Sequence, residues 1–172
     1  MSYQISFMRG QNKNKKEFGQ VYDDNVDKIY RFIYIKVNSK EIAEDLTSET
    51  FLKTWKAFKV NKIDNPKAFC YKTARNLVID HYRTKKEKAL PIEDVQLADT
   101  TDIEKQAIVK SDIQYVLKGL SSIRTDYQDL IIWYYLDELT VPEIASLVNR
   151  SENATRVMIH RATNSLKKVL EV

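Results

Sequence analysis

Residues 140–157 read TVPEIASLVNRSENATRV, and this stretch decides the expected fold. Thr140 and Glu143 have the spacing of a capping box, which predicts the start of a short helix. Asn149 tolerates a left-handed backbone better than most residues, so it favours a tight connection. Ser151 is then placed to cap a longer helix. A short helix, a tight turn and a longer helix form the pattern of a helix-turn-helix.

The scarcity of glycine and proline extends the helical prediction to the whole chain. Three Gly and three Pro make six of 172 residues, whereas these two residue types together average roughly 12%. Sheet proteins need both residues for their many turns. We therefore expect an all-α fold with two small helical domains.

Composition divides the chain into four segments. Residues 1–16 are basic, and we expect a flexible N-terminus. A helical period of apolar residues over 17–88 predicts an N-terminal helical domain. Residues 89–104 hold five acids and no base, which is typical of an interdomain linker; a surface loop within one domain is the alternative. Residues 105–172 are helical again and contain the helix-turn-helix.

Individual residues predict where the other helices begin and end. Ser39 is an expected N-cap, and Asn65 caps a helix whose first residue is proline. Gly119 is an expected helix stop. Thr125 and Gln128 have the spacing of a second capping box.

The aromatic residues divide into expected core positions and open cases. We expect Trp55 and Phe69 to be core, and Tyr71 and Tyr82 to be either core or free to stack on unpaired bases. The apolar stripe of the helix after Thr125 is predicted to contain Tyr127, Leu130, Ile131, Tyr134 and Tyr135.

Several classes of protein are excluded. The single cysteine, Cys70, rules out an internal disulfide framework and a cysteine-rich zinc site. His81 and His160 lack metal-ligand partners at helical spacing, and there is no phosphate-binding glycine loop or catalytic triad. We therefore expect no enzyme, no catalytic residue, no metal and no cofactor. No stretch reaches the roughly 18 apolar residues of a membrane span, so we expect a cytoplasmic protein without membrane insertion.

Local charge is much stronger than the net charge of +4 suggests. Residues 59–88 carry nine bases against three acids, and residues 150–168 carry five bases against Glu152. Because phosphate contacts supply most nonspecific affinity, two basic helical blocks favour a bipartite grip on DNA. The charged residues of 41–50 are all acids, which predicts either a solvated face or a protein contact.

The last helix offers polar side chains of two kinds. Arg156 has the geometry to read guanine and Asn153 to read adenine in the major groove. Arg150, Arg161 and Lys167 lie where phosphate contacts are expected, and these carry less sequence information.

Three groups of motifs resemble bacterial RNA polymerase sigma factors of the extracytoplasmic-function (ECF) group. Residues 42–55, IAEDLTSETFLKTW, resemble the helix that binds the polymerase clamp. Residues 68–83 resemble the minus-ten helix in Ala68-Phe69, Ala74-Arg75-Asn76, Asp80 and Arg83. Residues 135–162 resemble the minus-thirty-five domain in YLDELT, Glu143-Ile144-Ala145 and His160-Arg161-Ala162. The sequence departs from the pattern at Asn149, where Gly is usual, and at Met158, where Arg is frequent.

The resemblance implies an alternative sigma factor that binds core RNA polymerase and promoter DNA, with an anti-sigma factor as a further partner common in the group. It implies three sets of site residues. The polymerase-binding set is Glu44, Asp45 and Glu49. The minus-ten set is Lys59, Asn61, Lys62, Arg75, Asn76, Asp80, Arg83, Lys85 and Lys86. The minus-thirty-five set is Arg150, Glu152, Asn153, Thr155, Arg156, His160, Arg161 and Lys167. The acidic linker is expected to enter the polymerase channel that later carries RNA.

Two other function classes stay open at this point. One is a helix-turn-helix transcriptional regulator that binds duplex DNA without being a polymerase subunit. The other is a helical adaptor whose basic faces meet an acidic protein. Transcription with purified core polymerase separates all three, because only a sigma factor gives promoter-specific initiation.

Overall fold

The computed structural model describes residues 2–60, 63–88 and 107–171, and their side chains over 15–60, 63–85 and 114–171. Within these ranges the chain is helical and contains no β-strand. The chain divides into two compact units, Met1–Thr84 and Lys85–Val172. The expected all-α fold with two helical domains is confirmed. The expected linker, 89–104, lies outside the described residues, and the proposed domain boundaries stay predictions.

Three helices build the first unit, and the third continues four residues past its boundary at Thr84. They are α1 (Ser2–Val37), α2 (Lys40–Val60) and α3 (Pro66–Lys88). The backbone of residues 2–16, expected as a flexible lead, is part of α1. The reason is the lack of a breaker: there is no proline before Val37, and an isolated glycine costs a helix only about 1 kcal/mol.

The predicted caps of the first unit are present. Asn38 takes a left-handed backbone, with φ of 49°, and separates α1 from α2. The hydroxyl of Ser39 accepts from the Ile42 amide at 3.5 Å. Asn65 Oδ1 accepts from the Ala68 amide at 2.9 Å, which fixes the start of α3. Both caps satisfy amides that have no partner inside their helices.

The core of the first unit lies between all three helices. Its buried apolar side chains are Ile29, Phe32, Ile33, Ala43, Phe51, Cys70, Tyr71, Ala74, Leu77 and Val78. Tyr71 is completely buried, with its ring edge-on to Phe32 at 6.0 Å, so it belongs to the core and does not stack on bases. Trp55 is half-buried against Phe18, at 4.9 Å between ring centroids.

Four α-helices and one π-helical turn build the described part of the second unit. They are α4 (Ala107–Ser121), α5 (Thr125–Ile131), the π-helical turn Ile132–Leu136, α6 (Val141–Val148) and α7 (Glu152–Val169). The expected helix-turn-helix is α6, the turn and α7. Its core is centred on Trp133, which is 1% exposed, with Leu130, Ile132 and Ile144.

The caps of the helix-turn-helix are those that the sequence predicts. Thr140 and Glu143 form a complete capping box at the start of α6. Asn149 ends α6 with a left-handed backbone, with φ of 52°. The Ser151 hydroxyl accepts from the Ala154 amide at 3.3 Å and starts α7. Local hydrogen bonds therefore set both ends of the turn.

Two predicted helix signals of the second unit are wrong. Gly119 does not end α4; a side chain there would meet Leu170, since a Cβ would lie 2.5 Å from Leu170 Cδ2. The glycine thus permits a close approach of the two chain segments. Thr125 and Gln128 form no capping box, because Arg124 is the N-cap and Gln128 donates to the Ile123 carbonyl at 3.0 Å.

The apolar stripe predicted after Thr125 is only partly correct. Leu130 and Ile131 are buried, but Tyr134 and Tyr135 are exposed. The π-helical turn adds a residue to the helical repeat, and this rotates the following side chains. Five consecutive residues, 129–133, are buried, so the chain is enclosed on all sides up to Trp133 and the tyrosines lie beyond this enclosed segment.

Candidate nucleic-acid and protein interfaces

The acidic side chains of α2 lie on its solvent side. Glu44, Asp45 and Glu49 are all exposed. Glu44 pairs with Lys40 at 3.8 Å, and Glu49 pairs with Lys53 at 2.9 Å. Within the described residues, Asp45 has no ion pair. Asp45 is therefore the acid of this set whose charge is not compensated inside its own helix.

A polar face runs along α3. Asn76, Asp80 and Arg83 are spaced by four and three residues, so they share one side of the helix, and all three are exposed. Arg83 Nη2 lies 3.2 Å from Asp80 Oδ1. Arg75 is half-buried at the border of this face. Asn76, Asp80 and Arg83 are thus brought together on one surface, whereas exposed Lys85, nine residues after Asn76, lies on the opposite side of α3.

The rest of the predicted minus-ten set is only partly described. Lys59 is exposed near the end of α2, with Nζ 5.4 Å from the centroid of the Trp55 ring. Asn61 and Lys62 lie outside the described residues. The backbone of Lys86 belongs to α3, but its side chain lies outside the described part of the chain.

An open groove of about 500 Å³ lies between α1 and the segment that leads into α3. Its walls carry charges of both signs, contributed by Asp24 and Lys28 on one side and Asp64 and Lys67 on the other. Asn25 also lines it; its Nδ2 donates to the Val21 carbonyl at 2.8 Å. The groove offers both donors and acceptors to a small polar group.

Tyr82, left open by the sequence, has a structural contact. Its hydroxyl donates to the Lys36 carbonyl at 2.5 Å, which joins α3 to the C-terminal end of α1. Burial of part of the ring raises the pKa of Tyr82 above its usual value. The pair is separated by 46 residues, and no local pattern could have predicted it.

The first turns of α7 carry a linked group of polar side chains. Arg156 Nη2 donates to Glu152 Oε2 at 3.2 Å, and Arg156 Nη1 donates to Asn153 Oδ1 at 3.2 Å. All three residues are exposed. The four-residue spacing of Glu152 and Arg156 is a signal that was visible in the sequence.

Thr155 does not belong to this exposed face, which corrects the prediction. Its side chain is completely buried, and its hydroxyl donates to the Ser151 carbonyl at 2.9 Å. Position 155 faces the core because Thr155, Ile159 and Ala162 share one side of α7. The remaining predicted residues of this set are exposed: Arg150, His160, Arg161 and Lys167.

Three other features bear on function in the described residues: metal-binding clusters, the cysteine thiol and membrane-spanning helices. No cluster of three or more His, Cys, Asp or Glu side chains in that part of the chain has an arrangement that holds a metal ion. Cys70 is buried beside Thr54, with Sγ and Oγ1 3.6 Å apart, and burial raises the pKa of its thiol. In the described ranges, no helix has the length and apolar character needed to cross a bilayer.

Comparison of the sequence with known proteins shows the family of this chain. The model of sigma-70 region 2 matches residues 21–88, and the model of sigma-70 region 4 matches residues 113–166. The ECF RNA polymerase sigma factor BldN of Streptomyces coelicolor is 30% identical over 173 residues, which cover 94% of this chain and 63% of BldN. The chain belongs to the ECF group of sigma-70 factors. The resemblance stated from the motifs is therefore confirmed.

Other ECF relatives match over most of their length. The ECF sigma factor SigM of Bacillus subtilis is 27% identical over 151 residues, which cover 86% of this chain and 91% of SigM. The chain thus spans nearly all of SigM, but less than two thirds of BldN.

Solved sigma-factor structures share the fold. The sigma factor RpoE of Bartonella quintana, solved in complex with the anti-sigma factor NepR, matches with a TM-score of 0.69 at 21% identity. That match covers 91% of this chain and 98% of RpoE. CnrH, solved with the cytosolic domain of CnrY, matches with a TM-score of 0.68 at 19% identity, covering 91% of this chain and 89% of CnrH.

Proposed function

We propose that this ECF sigma factor binds core RNA polymerase and directs promoter-specific transcription initiation. The observation that carries the proposal is the order of the two family matches: region 2 falls on the first unit and region 4 on the second. A helix-turn-helix regulator needs only the second. The function is non-enzymatic and belongs in the cytoplasm, where the polymerase works.

The polymerase contact is assigned to the acidic side of α2. Exposed Glu44, Asp45 and Glu49 present carboxylates that suit arginine side chains of a partner, since such pairs are charge-assisted and often bidentate. Asp45 is the main contact in this proposal, because Glu44 and Glu49 are already paired with lysines of α2.

Promoter contacts are assigned to α3 and α7. The face of α3 with Asn76 and Arg83 contacts the minus-ten element, and the exposed start of α7 contacts the minus-thirty-five element. The groove between α1 and the start of α3 accepts an unstacked base of the nontemplate strand. Unstacking costs a few kcal/mol, and the mixed donors and acceptors of the groove offset this cost.

Two further assignments complete the proposal. The acidic linker enters the polymerase channel, where its carboxylates mimic RNA phosphates. An anti-sigma factor holds this protein inactive, as NepR forms a complex with RpoE.

Transcription with purified core polymerase tests the proposed function. Core polymerase is combined with this protein and a genomic fragment library, and the transcript start sites are sequenced. We expect starts that share an upstream and a downstream element and that disappear without the protein. Duplex binding without any stimulation of core would instead indicate a separate regulator. If neither activity occurs, the protein is an adaptor.

Asn76→Ala tests the minus-ten assignment. We expect open-complex formation to fall by about tenfold, because a lost base contact is worth about 1–3 kcal/mol. Core binding should not change. Asn76 is exposed, so truncation should alter the free energy of unfolding by no more than about 0.5 kcal/mol. A sharp drop in the melting temperature, with open-complex loss in proportion, would assign Asn76 a structural role instead.

A further inference from the structure

Two side chains of the first turn of α7 accept hydrogen bonds from the guanidinium of Arg156. Glu152 accepts from Nη2 and Asn153 accepts from Nη1, both at 3.2 Å. We call Glu152 and Asn153 the arginine clamp. A guanidinium has five N–H groups, so three of them remain available while the clamp is closed.

We propose that the arginine clamp makes Arg156 selective for the edge of guanine and that Glu152 is a specificity-determining residue. The inference rests on the proposed function, because it concerns how α7 reads the upstream promoter element. Glu152 carries the main part of the effect, since its carboxylate is the charged member of the clamp.

The selectivity follows from charge. A free arginine binds phosphate at any sequence, because phosphates are present along the whole duplex. The Glu152 carboxylate repels phosphate and competes with it for the same guanidinium. Guanine offers two neutral acceptors, O6 and N7, which bind two N–H groups side by side without repelling the carboxylate. The clamp therefore weakens the nonspecific contact more than the guanine contact.

The clamp also changes the expected role of Asn153. A bidentate contact to adenine needs both the amide oxygen and the amide nitrogen of an asparagine. In the structure the oxygen of Asn153 is bonded to Arg156. Asn153 thus positions the arginine, and the two residues make one joint contact to guanine rather than separate contacts to adenine and guanine.

Three variants of the full chain, each combined with core polymerase, separate these effects. Glu152→Gln removes the charge but keeps an acceptor oxygen at the same place. Asn153→Ala removes the other acceptor and leaves the charge unchanged. Glu171→Gln is the matched control, because it removes one exposed carboxylate of the same unit beyond the end of α7. The probe is a duplex library randomised over the upstream element, and enriched sequences are counted at several salt concentrations.

We expect Glu152→Gln to lower the preference for guanine at one position by about tenfold, the value of one bidentate contact. Affinity for unselected duplexes should rise, and the slope of log affinity against log salt should steepen by about one, as for one added phosphate contact. Asn153→Ala should lower the same preference, with a smaller change of the salt slope. Glu171→Gln should keep the base preference.

Three results would overturn the inference. The first is a base preference that does not change in Glu152→Gln. The second is weaker binding of Glu152→Gln to all duplexes alike, as expected if Glu152 has only a structural role. The third is that the parent protein enriches no sequence, which contradicts the proposed upstream recognition as well. Enrichment by the parent with an unchanged Glu152→Gln profile contradicts the clamp alone and leaves the proposed function intact.

Discussion

Trp133→Ala is expected to unfold the second unit while the first unit stays folded. Trp133 is 1% exposed, and truncation of a buried tryptophan costs about 3–5 kcal/mol. Small domains are only marginally stable, with about 5–15 kcal/mol in total and the smallest near the lower end. A calorimetric melt should therefore lose or strongly lower one transition and keep the other.

The matched control is Trp55→Ala in the first unit. Trp55 is half-buried, so its truncation should shift the other transition, and by less. The Trp133→Ala variant should still bind core polymerase through α2, but it should no longer select the upstream promoter element. A single transition that moves as a whole would show that the two units unfold together, contrary to this expectation.

The parts of the fold set by local chemistry were predictable from the sequence. Thr140, Asn149 and Ser151 each act within a few residues of their own position, through a cap or a left-handed backbone. The same holds for Asn65, whose side chain caps α3. Such short-range hydrogen bonds do not depend on where the rest of the chain packs.

The parts set by tertiary packing were not predictable. Gly119 was expected to end α4, but its lack of a side chain makes room for Leu170, more than fifty residues away in the sequence. Residues 129–133 are all buried, whereas Tyr135 in the π-helical turn is exposed. A hydrophobic period of 3.6 residues carries no sign of either feature.

The candidate site also has features that the sequence predicted and features that depend on tertiary packing. The charges of α2 and α3 lie on exposed faces, as their positions in the sequence suggested. Thr155 was assigned to DNA because it is polar and near Ser151, yet its hydroxyl is satisfied by the helix backbone and its methyl group suits the core. The contact of Tyr82 with Lys36 needed the three-dimensional structure.

Asp45→Arg is expected to weaken binding to core polymerase by about 2–5 kcal/mol, the range for breaking a buried interfacial charge pair. Asp45 has no ion pair within the described residues, so its charge is available to a partner. Arginine has a higher helix propensity than aspartate, and helix content should therefore be retained. The dissociation constant with core polymerase and the far-ultraviolet circular dichroism spectrum are the two measurements.

Asp27→Arg is the control for this charge reversal. Asp27 is exposed on α1 and gives the same change of net charge outside the proposed contact. If both variants weaken binding equally, the polymerase senses the overall charge of the protein and α2 is not the docking helix. If Asp45→Arg alone weakens binding, the effect is local. Glu49→Ala should then have a smaller effect, because Lys53 already compensates that carboxylate at 2.9 Å.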